Sequence, residues 1–120
     1  MRTILISFIL SSLCACAPFH KWDGADKALY AGFVACEIAD YRQTVDILQD
    51  GNELNPVVKY GHESMGRQGV KLYFIGFAAG TYLIADNMSP KNRKAFLSIW
   101  DSIYAGVIRH NYALGYKTKF

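Results

Sequence analysis

Polar side chains stand at the edges of apolar stretches throughout this chain: Asp40, Thr44, Glu53, Asn55, Asp101 and Asn111 are the ones whose types could do chemistry. Carboxyl and amide groups in such settings can close a hydrogen-bonded network, hold an ion or ligand, or work as an acid–base pair on a water. Asp40 and Thr44 are four apart, so a helix sets them on one face. Glu53-Leu54-Asn55-Pro56 follows closely, and Asn-Pro is a helix-start signal, a cap followed by a first-turn proline. The simplest reading is structural: Asp40 pairs with Thr44, and Glu53 or Asn55 holds helix-end amides. An ion, proton or ligand site on the same groups is the second reading. A hydrolytic site built on Asp40, Glu53 and Asp101 is the third, because spacing alone does not aim two acids at one water.

Other chemistries lack their signatures. His62 and His110 are isolated and belong to no HExxH or Cys/His cluster, so no metal site is expected. The glycines at 61, 66 and 69 are spaced wrongly for a phosphate-cradling loop, and no G-x-S-x-G occurs. No cofactor is expected, and the chain reads as a non-enzyme.

The elements that must position these groups are helices. Asp23 can cap a helix with Asp26 at its third position, and the pattern runs over residues 25–49, with Tyr30, Val34, Ile38, Tyr41, Val45 and Leu48 recurring at helical spacing. Glu37, Gln43, Asp46 and Asp50 mark its other side, and Gly51 ends it. Asn55-Pro56 predicts one or two turns over residues 57–60 in a connector punctuated by glycine. A second long helix is expected over residues 68–87. Its stretch 72–85 is uncharged and apolar on all sides, so it belongs in a core or in lipid, and Gly76 and Gly80 offer a small face for close helix contact. Ser89-Pro90 opens a third helix that Gly115 closes. Phe96, Trp100, Ile103, Val107 and Leu114 form its apolar stripe; Ser98, Asp101, Ser102, Ala105 and Arg109 form its polar side. The fold class is therefore all-α: a small three-helix bundle after an N-terminal signal helix, associated with a membrane, with a transmembrane hairpin of the second and third helices as one arrangement.

Composition sets outer bounds. A chain of 120 residues holds one domain, and 52 % hydrophobic residues exclude intrinsic disorder. A net charge of +3, without a basic stripe, is too weak to argue for nucleic acid. Residues 1–16, MRTILISFILSSLCAC, carry Arg2, a short apolar run and then Leu13-Cys14-Ala15-Cys16. The run is too short to span a bilayer core of roughly 30 Å, and reads as an export signal. Its end resembles a bacterial lipobox, which implies cleavage after residue 15 and acylation of Cys16. The domains are then a signal peptide, 1–15, and a mature helical domain, 16–120. Cys36 would be the remaining thiol, and its apolar neighbours mark it as a small buried hydrophobe.

Asp40-Tyr41-x-x-Thr44, Glu53-x-Asn55-Pro56, Tyr73-Phe74 and His110-Asn111 with Gly115 together resemble a group of uncharacterised small helical membrane proteins of tailed phages and prophages. The likeness covers roughly residues 20 to 120. It implies that Asp40, Thr44, Glu53, Asn55 and Asn111 are shared polar positions. Tyr104 stands where that group carries an acidic residue, with Asp101 one turn earlier.

These readings place the chain in a bacterial cell envelope, lipid-anchored, with its mature N-terminus on the periplasmic side. Its partners would be membrane lipid and an envelope protein, and its duty superinfection exclusion or lysis assistance. The basic cluster Lys91, Arg93 and Lys94 would face the cytoplasm if the second and third helices span. A bundle held outside the membrane by its lipid is the competing arrangement, favoured by Asp101 and Arg109 in the third helix.

Overall fold

A computed structural model describes residues 21–51 and 55–117. The described chain is all-α. Helix α1 is Gly24–Gln49, α2 is Pro56–Met65, α3 is Arg67–Asp86 and α4 is Pro90–Ala113. Cys16 and the signal segment, residues 1–15, lie outside the described residues, and so does Glu53.

Local signals account for the helix boundaries. Asp23 and Asp26 form a reciprocal capping box at the start of α1, each side chain accepting from the other's backbone N–H. Asn55 caps α2 ahead of Pro56, and Ser89 caps α4 ahead of Pro90. Gly51, Gly66 and Gly115 follow helix ends with φ of 72°, 62° and 94°, a region that costs residues with a Cβ. The connector departs from expectation. Helix α2 runs through to Met65, well beyond the short turn expected, because it finds a partner: it folds back on α3. Where the two cross, the backbones of Gly61 and Gly69 touch, leaving no room for a methyl on Gly69. Gly76 and Gly80, by contrast, face open space, so the small face expected on α3 meets no helix.

The chain goes along α1, back along α3 and forward again along α4. Helix α4 consequently lies parallel to α1, and α3 runs against both. Two apolar clusters hold the ends. Trp22, Ala85 and Leu97 form one, with Leu29, Tyr30, Tyr82 and Phe96 packed around it. Val58, Val70 and Phe74 form the other, with Tyr41, Leu48 and Tyr73. Each large side chain so buried contributes roughly 1.5–3 kcal/mol.

Along the α1–α4 seam, polar pairs alternate with apolar contacts such as Phe33 against Tyr104. Asp26, Glu37, Gln43, Thr44 and Arg93 are buried, whereas Ile38, Ile103 and Leu114, expected in apolar stripes, are 49, 47 and 62 % exposed. The inward faces of both helices are thus rotated from the expected stripes. The reason is pairing: Asp26 meets Arg93, Glu37 meets Tyr104, and Gln43 meets the backbone of α4, so each of these three buried side chains has a partner across the seam.

Among the described residues, no helix is long and apolar enough to cross a membrane. The hairpin arrangement is corrected accordingly. The uncharged stretch of α3 is bounded by Lys71 and Asp86, and α4 carries Arg93 and Lys94 in its first turns. Two members of the basic cluster meant to orient that hairpin, Arg93 and Lys94, are engaged within the fold. Arg93 donates to Ala85 O at 2.9 Å, Asp26 Oδ2 at 2.9 Å and Met88 O at 3.0 Å, and its guanidinium lies 5.0 Å from the centre of the Trp22 ring. Lys94 Nζ pairs with Asp23 at 2.6 Å and Asp26 at 3.1 Å.

Candidate functional site

Helices α3 and α4 touch near Ala85 and Leu97, and again where Phe77 meets Trp100 edge-on at 5.1 Å. Beyond that point they part, and α1 becomes the floor of an open cleft of about 770 Å³. Its lining includes Asp40 and Thr44 from α1, Asn55 ahead of α2, and Asn111 from α4. Those are four of the positions singled out in the sequence, drawn together from three parts of the chain.

Helical periodicity sets the floor. Residues 37, 40, 44 and 47 lie on one side of α1, and 104, 107 and 111 on the facing side of α4. Side chains of the two helices, Gln43 among them, interlock at sequence separations of 67 to 71. Tyr104 Oη donates to Glu37 Oε1 at 3.0 Å, 67 residues apart. Asn111 Nδ2 donates to Gln43 Oε1 at 3.2 Å, 68 apart, and to Asp40 Oδ1 at 3.4 Å. Gln43 in turn donates to Ile108 O at 3.3 Å and Tyr116 O at 3.1 Å, tying the chain beyond α4 across the end of the cleft.

Asn55 works on both sides of its amide. Its Oδ1 accepts from the Val57 and Val58 backbones, and its Nδ2 donates to Tyr73 Oη at 3.2 Å. The cap read from Asn-Pro is thereby joined to the wall of the cleft. That wall is aromatic: Tyr73 stacks on Phe77 at 6.1 Å, and Trp100 lies 6.3 Å from Tyr104.

Asp101 does not join this site. It faces α1 near Gly32, where its Oδ1 is buried without a hydrogen-bond partner among the described residues, and burial raises its pKa. The same burial, with Asp101 adding to it, raises the Cys36 thiol. Asp40 and Asp101 therefore do not share a water. His62 and His110 lie apart, and no group of three metal-binding side chains occurs among the described residues.

Glu37 is the member that sequence reasoning set on the outer side of α1. Burial pushes its carboxyl up to about 7; the Tyr104 hydrogen bond opposes this and the nearby Asp40 charge adds to it. Tyr104 is raised as well, by burial first and then by Glu37. The signal for Glu37 was its spacing of three from Asp40; the partner that turns it inward lies far along the chain.

Comparison with known protein families, with curated proteins and with solved structures returns no match. The likeness to phage and prophage helical proteins rests on the sequence pattern alone.

Proposed function

We propose that this chain is a non-catalytic binding module: a helical bundle tethered through Cys16 to the outer side of a bacterial envelope membrane, with the cleft as its contact surface. The single observation that carries the reading is the meeting of Asp40, Thr44, Asn55 and Asn111 at one aromatic-walled cavity of about 770 Å³. That volume falls in the range of roughly 300–1,000 Å³ usual for ligand sites, and a few convergent polar groups in an apolar surround are their common form. The tether is supported by the lipobox-like Leu13-Cys14-Ala15-Cys16, and a diacylated cysteine gives a stable anchor without a spanning helix. An envelope protein is the proposed biological partner, and phage or prophage origin is the proposed source, with exclusion of a second phage or help in lysis as its duty.

Catalysis by Asp40, Glu53 and Asp101 has less in its favour. Asp101 is turned away from the cleft, and the polar floor is occupied in holding α1 to α4.

The cleft is tested with a small neutral aromatic probe, 2-phenylethanol, titrated into the full chain. The expected result is saturable binding that Val107→Trp abolishes by filling the mouth, with the helical circular dichroism unchanged. Absence of saturable binding by the natural chain overturns the reading.

A further inference from the structure

We propose that the outward back of α3 lies flat on the membrane that holds the tether, its apolar side chains among the lipid tails and Lys71 among the headgroup phosphates. This rests on the reading of Cys16 as a lipid anchor and adds a second contact with the same bilayer.

Helix α3 has two apolar sides, and the fold covers one of them. Val70, Phe74, Thr81 and Ala85 are buried against the rest of the bundle. Leu72, Ile75, Gly76, Ala79 and Leu83 recur at the spacing of a single helical face on the other side. Leu72 and Ile75 are 56 and 64 % exposed, and a Cβ on Gly76 would meet nothing within 4 Å. No charged residue interrupts the stretch 72–85. The result is about three turns of continuous uncovered apolar surface, and a patch of that kind marks a place of contact. Exposed apolar residues of α4 make no such face, because Ile99 and Ile103 share their side with Ser102 and His110.

Two observations name the occupant. The first is where the tether enters the bundle. Trp22 donates its indole N–H to Asp86 Oδ1 at 2.8 Å and stacks on Tyr82 at 5.3 Å, so it docks at the end of α3. Cys16 precedes Trp22 closely in the sequence. Fully extended, that piece of chain reaches at most roughly 20 Å, less than the roughly 30 Å length of α3 itself. A Cys16 held in lipid therefore keeps this end of α3 at the membrane. The second observation is charge. No acidic residue stands between Glu63 and Asp86, Asp86 is engaged by Trp22, and exposed Lys71 flanks Leu72. A lysine at the border of an apolar face suits phosphate headgroups, since its stem covers apolar surface while its ammonium reaches the phosphates. A helix lying in the plane of the membrane needs no spanning length. The cleft stays free, because α3 lends it Tyr73, Phe74 and Phe77 and no position of the back.

The test uses the full chain made in a Gram-negative host and placed in nanodiscs of phosphatidylethanolamine and phosphatidylglycerol, with a phospholipid that carries a diazirine in its acyl chain. After illumination, mass spectrometry maps the lipid adducts. Adducts between Leu72 and Leu83 are expected at least about ten-fold above those at Ala28, Ala31 and Ala35, exposed on the outer side of α1. Ala79→Glu sets a charge in the middle of the back and should cut the α3 adducts by at least about five-fold, with the helical circular dichroism and the palmitate label on Cys16 unchanged. An α3 with no more adducts than α1, in a chain that carries the palmitate label, overturns the contact and leaves the anchor, whether the back is bare or covered by a second copy. Adducts on α3 in a chain without the label overturn the anchor and keep the contact. A chain with neither overturns both.

Discussion

Tyr104 donates its phenol hydrogen to Glu37 across 3.0 Å inside the seam between α1 and α4. Asp26 and Arg93, 67 residues apart like this pair, close the seam one end up. Eleven residues separate Asp26 from Glu37, and the same number separates Arg93 from Tyr104, close to three helical turns. The parallel helices are thus held in register by polar pairs, with the cleft beginning just below the second of them.

The raised pKa of Glu37 sets a pH dependence. A glutamate titrates near 4.5 in the unfolded chain and is pushed up to about 7 in the fold. Between these values the native state holds a proton that the unfolded state has lost, so this group's stabilising contribution falls as pH rises from about 4.5 through 7. Glu37→Gln keeps an acceptor for Tyr104 without the charge. Urea unfolding at pH 5.5 and pH 8 should show a smaller loss of stability for the variant than for the natural chain; equal losses contradict the assignment.

Arg93 is 2 % exposed and ties the start of α1 and the end of α3 to α4. Arg93→Met leaves Asp26 buried without its guanidinium, a change that costs about 3–5 kcal/mol in buried pairs. Adding Asp26→Asn to it should return part of that loss. Denaturant midpoints of the single and double variants check this; additive losses would show that the pair is not coupled.

Gly69 and Gly76 lie two turns apart on α3 and should respond in opposite directions. A methyl on Gly69 drives into the Gly61 carbonyl, so Gly69→Ala should destabilise by at least about 1–3 kcal/mol. Gly76 faces open space, and Gly76→Ala should stabilise by about 0.5–1 kcal/mol through helix propensity. Thermal unfolding of the two variants separates them. A costly Gly76→Ala would reveal a helix packed on that face.

The tether predicts a covalent product. In a Gram-negative host making the full chain, labelled palmitate should enter the protein and be lost in Cys16→Ser. A natural chain without label, recovered with the soluble fraction, removes the anchor.

Helix ends were legible in the sequence because their causes are local. Asp23 with Asp26, Asn55-Pro56, Ser89-Pro90 and the positive-φ glycines each act within a few residues. The inward faces were not, because their causes are distant. Ile38 and Val34 look like core beside Glu37 until Tyr104, on another helix, offers the acid a hydrogen. The same distance explains Arg93: as sequence it joins a basic loop, and in the fold it meets Asp26 and Trp22, which lie before and at the start of α1 or within its first turn. Of the candidate site, Asp40 with Thr44 followed from a spacing of four, and Asn55 from its cap. Their meeting with Asn111 needed the parallel course of α1 and α4. Asp101 was misplaced because it shares no periodic face with the residues of the cleft.

The chain has two tryptophans, and they lie apart: Trp100 in the wall of the cleft and Trp22 in the apolar cluster beside Leu97. Fluorine NMR of the full chain carrying 5-fluorotryptophan therefore reports separately on the two places. On titration with 2-phenylethanol the Trp100 resonance should shift saturably while that of Trp22 stays fixed. A Trp100 resonance that stays put at saturating probe, or a shift confined to Trp22, contradicts the cleft as the binding site.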